Sequence, residues 1–341
     1  MVEKMPFGIT RDGSAVHLFR LHGTDGMEVE LLDYGCTIRA IRLPCKEKMV
    51  DVCLGYDTIE GYENNEGYLG AVVGRYANRI GKGKLRVGET TYTLACNDGP
   101  NHLHGGMRGF DKYVWNSRVL ENGVEFSRLS ADGEEGYPGA VQVQVRMELD
   151  GQGCLQLTYS AVSDRDTVVN LTNHCYFNLA GEGDILSHTL QLEASRFTEN
   201  DPFCLPTGTI LPVEGTAFDF TSPKCIGRDM DADCVQLKNG KGYDHNFILD
   251  GAAGLKRAAV LCAPSTGISM QVYTTMPGVQ FYAGNVLNTT DGKQGRRYAP
   301  HDGLCLETQY FPDAPSHPHF PSTLLKAGEE YHHTTRFCFS W

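Results

Sequence analysis

Val141-Gln-Val-Gln-Val-Arg-Met-Glu-Leu149 alternates apolar and polar side chains without interruption. A period of two is the spacing of a strand with one buried and one wet face. Leu155-Gln-Leu-Thr-Tyr-Ser-Ala161 repeats the pattern after Asp150-Gly151-Gln152-Gly153. Two alternating runs joined by a short Gly-rich loop predict a β-hairpin. Outward from it, strands are expected over 28–32, 168–179, 188–193, 268–275, 280–283, 304–310 and 334–339. Turn-forming clusters separate them, such as Asn97-Asp-Gly-Pro100, Gly133-Glu-Glu-Gly136 and Asp291-Gly-Lys-Gln-Gly295. No stretch keeps an apolar i, i+3, i+4, i+7 stripe, and no repeat or linker divides the chain. The expected fold is all-β: one large antiparallel β-sandwich, with residues 1–341 forming a single domain.

Composition narrows the function. The 341 residues carry 30 Lys+Arg against 42 Asp+Glu, a net charge of −12. Nucleic acid and anionic membrane are poor partners for such a chain, because neutralising phosphates takes clustered Lys and Arg. At 41% hydrophobic and 21% charged residues, it is not a disordered chain. The opening MVEKMPFGITRDGSAVHLF has no apolar signal core. No run reaches the roughly 18 apolar residues of a membrane helix. The 12 cysteines form no C-x-x-C pair, and Cys175, Cys305 and Cys338 fall within alternating apolar runs. They read as reduced, mostly buried thiols, not as a disulfide framework or a zinc site. The expected compartment is the cytoplasm.

Several familiar motifs fail. Gly74-Arg-Tyr-Ala-Asn-Arg-Ile-Gly81-Lys82 spaces its glycines by six residues instead of four, and Gly83 stands where a phosphate loop needs Ser or Thr. No G-x-G-x-x-G, G-x-S-x-G or H-E-x-x-H occurs. His102-Leu-His104 could put two imidazoles on one strand face toward a metal. The nearest following carboxylate is Asp111, beyond Gly105-Gly106 and Gly109-Phe110, and no metal or cofactor is expected.

The polar residues that remain form a pattern. Read as a strand, Asn170-Leu-Thr-Asn-His174-Cys-Tyr176-Phe-Asn178 puts Asn170, Thr172, His174, Tyr176 and Asn178 on one face. Leu171, Cys175, Phe177 and Leu179 take the other, interrupted only by Asn173. Such a face is either solvated or the floor of a polar cleft. Glu307 in Leu304-Cys-Leu-Glu307-Thr-Gln309 lies opposite Leu304 and Leu306. Asp244 precedes an apolar strand, where capping a turn is the plainer role, Gln280 stands in an aromatic run, and Asn78-Arg79 follows the apolar stretch 69–73. One Glu, one or two His, one Asp, one Arg and amides are the inventory for holding a polyhydroxy ligand and moving protons on it.

At this point the strings themselves carry a resemblance. GAVVGRYANRIGKG (70–83), NHLHGGMRGFDKYVW (101–115), NLTNHCYFNLAG (170–181), GYDHNFIL (242–249), VYTTMPGVQFYAGN (272–285) and CLETQYFPDAPSHPHFPS (305–322) resemble, in order, the aldose 1-epimerase (galactose mutarotase) family. The resemblance implies a single galactose mutarotase-like supersandwich and a carbohydrate isomerase without cofactor. It implies catalysis by His174 as general acid and Glu307 as general base, with sugar hydroxyls held by Asn78, Arg79, His104, Tyr176, Asp244 and Gln280. His102 receives no role, and Met276 stands where relatives can carry Gln, which would alter one rim of the pocket. The implied partner is a small aldose such as D-galactose or D-glucose, bound by a monomer or a homodimer. Two rivals stay in view. A hexose-6-phosphate 1-epimerase would need additional Arg or Lys, and a non-catalytic sugar-binding protein would lack the acid or the base.

Overall fold

The computed structural model describes residues 1–341. The hairpin forms where the alternation is cleanest, with Val141–Leu149 and Cys154–Ser163 paired antiparallel and Leu149 opposite Leu155. Its turn is closed by Asp150, whose carboxylate accepts from the amides of Gln152 (2.8 Å) and Cys154 (3.1 Å). These strands sit in a nine-stranded sheet, ordered Asn116–Val119, Gly123–Ser130, Val141–Leu149, Cys154–Ser163, Glu330–Ser340, Ser269–Thr274, Lys256–Cys262, Thr189–Leu192, Lys224–Cys225. Gln142, Gln144 and Arg146 face water, and Val141, Val143, Val145 and Met147 face inward.

A six-stranded sheet lies against that inner face, ordered Tyr176–Phe177, Leu304–Gln309, Gly278–Tyr282, Asp244–Ile248, Arg196–Asn200, Pro206–Pro212. Its Phe177, Phe247, Val279, Phe281, Leu304 and Leu306 join the nine-stranded sheet's apolar residues in one core of 62 buried side chains. The Phe177 and Phe337 rings meet across the layers at 5.0 Å. Burying each such side chain contributes roughly 1.5–3 kcal/mol. A third sheet, from Val2–Ile9 to Lys48–Asp51 in chain order, packs Phe19 edge-on against Phe126. The only α-helices are the short Ile59–Glu63 and Val235–Gly240, and neither could cross a membrane.

Two expectations need correction. Residues 168–179 are not one strand. Thr172–Asn173 pairs with Val72–Val73, whereas Tyr176–Phe177 pairs with Leu304–Gln309. The chain changes partners at His174-Cys175, where Asn173 Oδ1 accepts from the Cys175 amide (3.0 Å) and Asn173 Nδ2 donates to Gly70 O (2.8 Å). This is an Asx bend, and Asn173 is the residue that broke the alternation in sequence. The thiol reading also fails for one pair. Cys154 and Cys338 lie opposite on neighbouring strands and form a disulfide, while the other ten cysteines are free.

Candidate active site

The outer face of the six-stranded sheet is polar, and its register builds the site. Antiparallel pairing sets Tyr176 opposite Cys305, Cys305 opposite Tyr282, and Tyr282 opposite Asp244. One step along, Glu307 faces Gln280, which faces Asn246. Because strand side chains alternate, all of these share one face, and Leu304, Leu306, Val279 and Phe281 fill the core behind. His174 precedes Tyr176 by two residues and Glu307 follows Cys305 by two. The antiparallel register therefore brings imidazole and carboxylate together, with His174 Nε2 3.7 Å from Glu307 Oε1.

The opposite wall comes from loops. Asn78 and His104 clasp each other: the Asn78 amide donates to His104 Nδ1 (3.1 Å), and the His104 amide donates to Asn78 O (3.1 Å). Both adopt left-handed backbone, as does Tyr68, with φ of 65°, 51° and 57°. Such outliers among non-glycine residues gather where the surroundings over-determine the backbone. Gly105 makes the clasp possible, since a Cβ there would fall 1.9 Å from Gly74 O. Tyr68 packs its ring 4.7 Å from that of His104 and 5.8 Å from that of His174. Arg79 is anchored by its Nε, which donates to Asp98 Oδ2 at 2.8 Å.

These walls enclose a cavity of about 390 Å³, within the range of small-ligand pockets. Asn78, Arg79, His104, His174, Tyr176, Asp244 and Glu307 all line it. Gln280 does not: it lies beneath Asp244, donates to its Oδ1 at 2.7 Å, and accepts from Gln309 at 3.4 Å. Of the five polar residues read onto one face, only His174 and Tyr176 reach the cavity. The Asn170 amide donates to Ala77 O and that of Asn178 to Gly183 O and Asp302 O, so both hold backbone instead. His102 is fully buried between Ala95 O (2.7 Å) and the Tyr137 hydroxyl (2.5 Å). Met276 is a core residue and forms no rim of the pocket. Sequence reasoning missed Tyr68 and Asp98, and only glycines flanking Tyr68 and the turn around Asp98 marked those positions.

Burial dominates the electrostatics. It pushes the Glu307 carboxyl well above the usual carboxylate range, with the Asp244 charge adding to the shift and Arg79 opposing it. Burial pushes His174 down to about 4. His104 also falls well below an ordinary histidine, through burial and then through His174 and Arg79. A neutral imidazole facing a carboxylic acid contains the same single proton as an imidazolium facing a carboxylate. The pair is therefore one donor and one acceptor in either form. Glu307 Oε2 is buried without a protein partner, an open place for a ligand hydroxyl.

His104, His174 and Glu307 hold donor atoms within 4.8 Å of one another, a spacing that invites comparison with a metal site. The fit is poor. The Asn78 amide occupies the Nδ1 lone pair of neutral His104, so its hydrogen sits on Nε2 and no lone pair faces the cavity. The same constraint leaves the His104 Nε2–H as a fixed hydrogen-bond donor.

The sequence profile of the aldose 1-epimerase family matches residues 17–338. Galactose mutarotase of Bos taurus is 49% identical over 329 residues, covering 95% of this chain and 94% of the bovine one. Aldose 1-epimerase of Escherichia coli K12 is 38% identical, covering 99% of both chains. The crystal structure of an aldose epimerase homologue from C. elegans superposes with a TM-score of 0.90 at 30% identity, covering 96% of this chain and 99% of the other. Galactose 1-epimerase from Lactobacillus acidophilus gives 0.88 at 30% identity, over 100% and 98% of the two chains. The chain belongs to the aldose 1-epimerase family.

Proposed function

We propose that this protein interconverts the α and β anomers of free aldohexoses such as D-galactose and D-glucose, by acid–base opening and closing of the hemiacetal ring. The observation that carries the reading is the 3.7 Å spacing of His174 Nε2 and Glu307 Oε1 in a sugar-sized cavity. Opening a hemiacetal takes a proton from the C1 hydroxyl and gives one to the ring oxygen. Both oxygens are bonded to C1, so acid and base must lie almost side by side, as these two do.

Glu307 accepts the C1 hydroxyl proton while His174 donates to the ring oxygen. Sugar hydroxyls and Arg79 stabilise the Glu307 carboxylate that begins the step. Opening moves both protons and leaves His174 neutral and Glu307 protonated, the form that burial favours. Charge is thus discharged in a dry pocket as the C1–O bond breaks. Rotation about C1–C2 presents the other carbonyl face, and the same groups close the ring in reverse. Each positioned proton transfer typically contributes about 10²–10⁴-fold. His104, Asn78, Arg79, Tyr176 and Asp244 hold the ring, and Gln280 acts through Asp244.

A sugar phosphate fits less well. The cavity carries the carboxylates of Glu66, Asp98, Asp244 and Glu307 against Arg79 and Lys241, and Arg79 is already engaged by Asp98. A near-dianionic phosphate would meet net repulsion there. We read residues 1–341 as one domain, because the core of 62 side chains draws on strands from both ends of the chain. Ten of the twelve cysteines are free, a balance that favours a reducing compartment, the cytoplasm, over the one Cys154–Cys338 disulfide that points the other way.

Polarimetry of freshly dissolved α-D-galactose, α-D-glucose and α-D-glucose 6-phosphate, with and without chelator, tests the reading. Fast, chelator-insensitive mutarotation of the free sugars is expected. Background rates with all three would leave only a sugar-binding protein, and a preference for the phosphate would select the rival enzyme.

A further inference from the structure

We propose that Tyr68 is a positioning residue: its ring walls the catalytic cavity off from a neighbouring acidic cavity and holds the His104 and His174 imidazoles in place. The inference rests on the reaction proposed above. The three rings meet in a triangle, with centroids 4.7 Å apart for Tyr68 and His104, 5.8 Å for Tyr68 and His174, and 5.2 Å for His104 and His174. The turn that carries Tyr68 is tied to the His174 backbone in both directions. The Gly70 amide donates to His174 O (3.0 Å), and the His174 amide donates to Ala71 O (2.9 Å). Within the turn, the Ala71 amide donates to Tyr68 O (3.0 Å). Tyr68 holds its left-handed backbone inside this frame, so the segment that brings His174 also places the ring.

Tyr68 and Glu66 line both cavities, and no other residue does. Beyond the ring lies a space of about 780 Å³, where Glu63, Glu66 and Asp111 stand against Lys112. Removing the ring would open that space onto both imidazoles. The packing therefore does two things. It fixes the orientation of groups that must meet neighbouring oxygens of one sugar. It also keeps water from His174, which burial holds down to about 4 against the pull of its own backbone carbonyl. The other groups facing His174 are His104, Tyr176, Tyr282, Cys305 and Glu307, and none of them lines the acidic cavity. Burial pushes the Tyr68 phenol up, so the ring itself stays neutral while His174 titrates.

Tyr68→Ala and Tyr68→Phe, made in the full chain, test the assignment by steady-state kinetics and by NMR titration of His174. The Ala variant should lose on the order of 10- to 100-fold in kcat, the scale of a misplaced catalytic group. Its acid limb in kcat/KM should move up from about 4 by roughly one unit or more, because a hydrated imidazole takes the second proton at higher pH. The Phe variant keeps the ring and should stay within a few-fold of wild-type kcat, with the acid limb in place. Wild-type kcat and an unmoved acid limb in Tyr68→Ala would overturn the proposal. So would a Phe variant as impaired as Tyr68→Ala, since the hydroxyl and not the ring would then carry the effect. Where Tyr68→Ala does not fold, the Phe variant decides alone: lost kcat or a moved limb overturns the assignment. Should the wild type prove inactive on sugars, the proposed function falls, and the His174 titrations still decide whether the ring shields it.

Discussion

His174 Nε2 and Glu307 Oε1 face each other at 3.7 Å because Tyr176 pairs with Cys305. A slip of one residue between those strands would turn Glu307 into the core and leave His174 without its partner. Sheet register is thus the physical origin of the proposed acid–base pair.

Glu307→Gln keeps the shape of the side chain and removes its proton exchange. kcat should fall by roughly 10²–10⁴-fold, the span of one positioned proton transfer. Calorimetric binding of galactose should persist. Polarimetric rates near wild type would remove Glu307 as the base.

The pH profile of kcat/KM reports the free pair. The one-proton form is active, a second proton binds only as His174 titrates, and the last proton leaves only above the raised Glu307 value. With His174 pushed down to about 4, activity should hold through the ordinary histidine range near 6.5 and fall only close to pH 4. At the other end, the loss should start well above the usual carboxylate range. An acid limb at pH 6 to 7 in the free-enzyme profile would contradict the burial argument.

Asp98→Asn removes the charge that anchors Arg79 Nε at 2.8 Å. Arg79 would keep its charge and lose its orientation. Asp98 is partly exposed, so the effect should be modest: a rise in galactose KM of up to about fivefold, equivalent to roughly 1 kcal/mol. Steady-state kinetics with unchanged KM would show that the walls alone orient Arg79.

His188 is fully buried and neither ring nitrogen has a partner. Burial lowers it to about 4, against 6.5 in the unfolded chain. Between those values the unfolded state binds the extra proton, so stability falls as pH drops from 6.5 to 4 and this group adds no further loss below. His188→Leu should be as stable as the wild type at neutral pH, or more so, because an unpartnered polar group leaves the core. Its urea midpoint should fall less over the same acid range. Parallel acid curves for the two proteins would show that His188 titrates as an exposed histidine.

The strand content was legible because period-two patterning is local. Val141–Leu149, Glu28–Leu32 and Leu304–Gln309 emerge where alternation places them. Residues 168–179 misled because two short strands on either side of a bend keep the same alternation as one long strand. Asn173, the single polar residue on the apolar side, marked the bend. Motif resemblance carries no depth, and the bond by which Gln280 meets Asp244 at the cavity was not readable along the chain.

By itself the sequence determined which residues could do the chemistry, which side of each strand they occupy, and that the chain folds as antiparallel sheet. Those properties depend on side-chain type and on a two-residue repeat, both readable along the chain. Tertiary structure alone decided which strands are neighbours and in what register, and hence that His174 meets Glu307 and Cys305. It also decided that Asn78 fixes the His104 tautomer, and that burial leaves the pair one shared proton. Strand pairing, hydrogen-bond direction and desolvation are set by groups remote in sequence, so no local pattern encodes them.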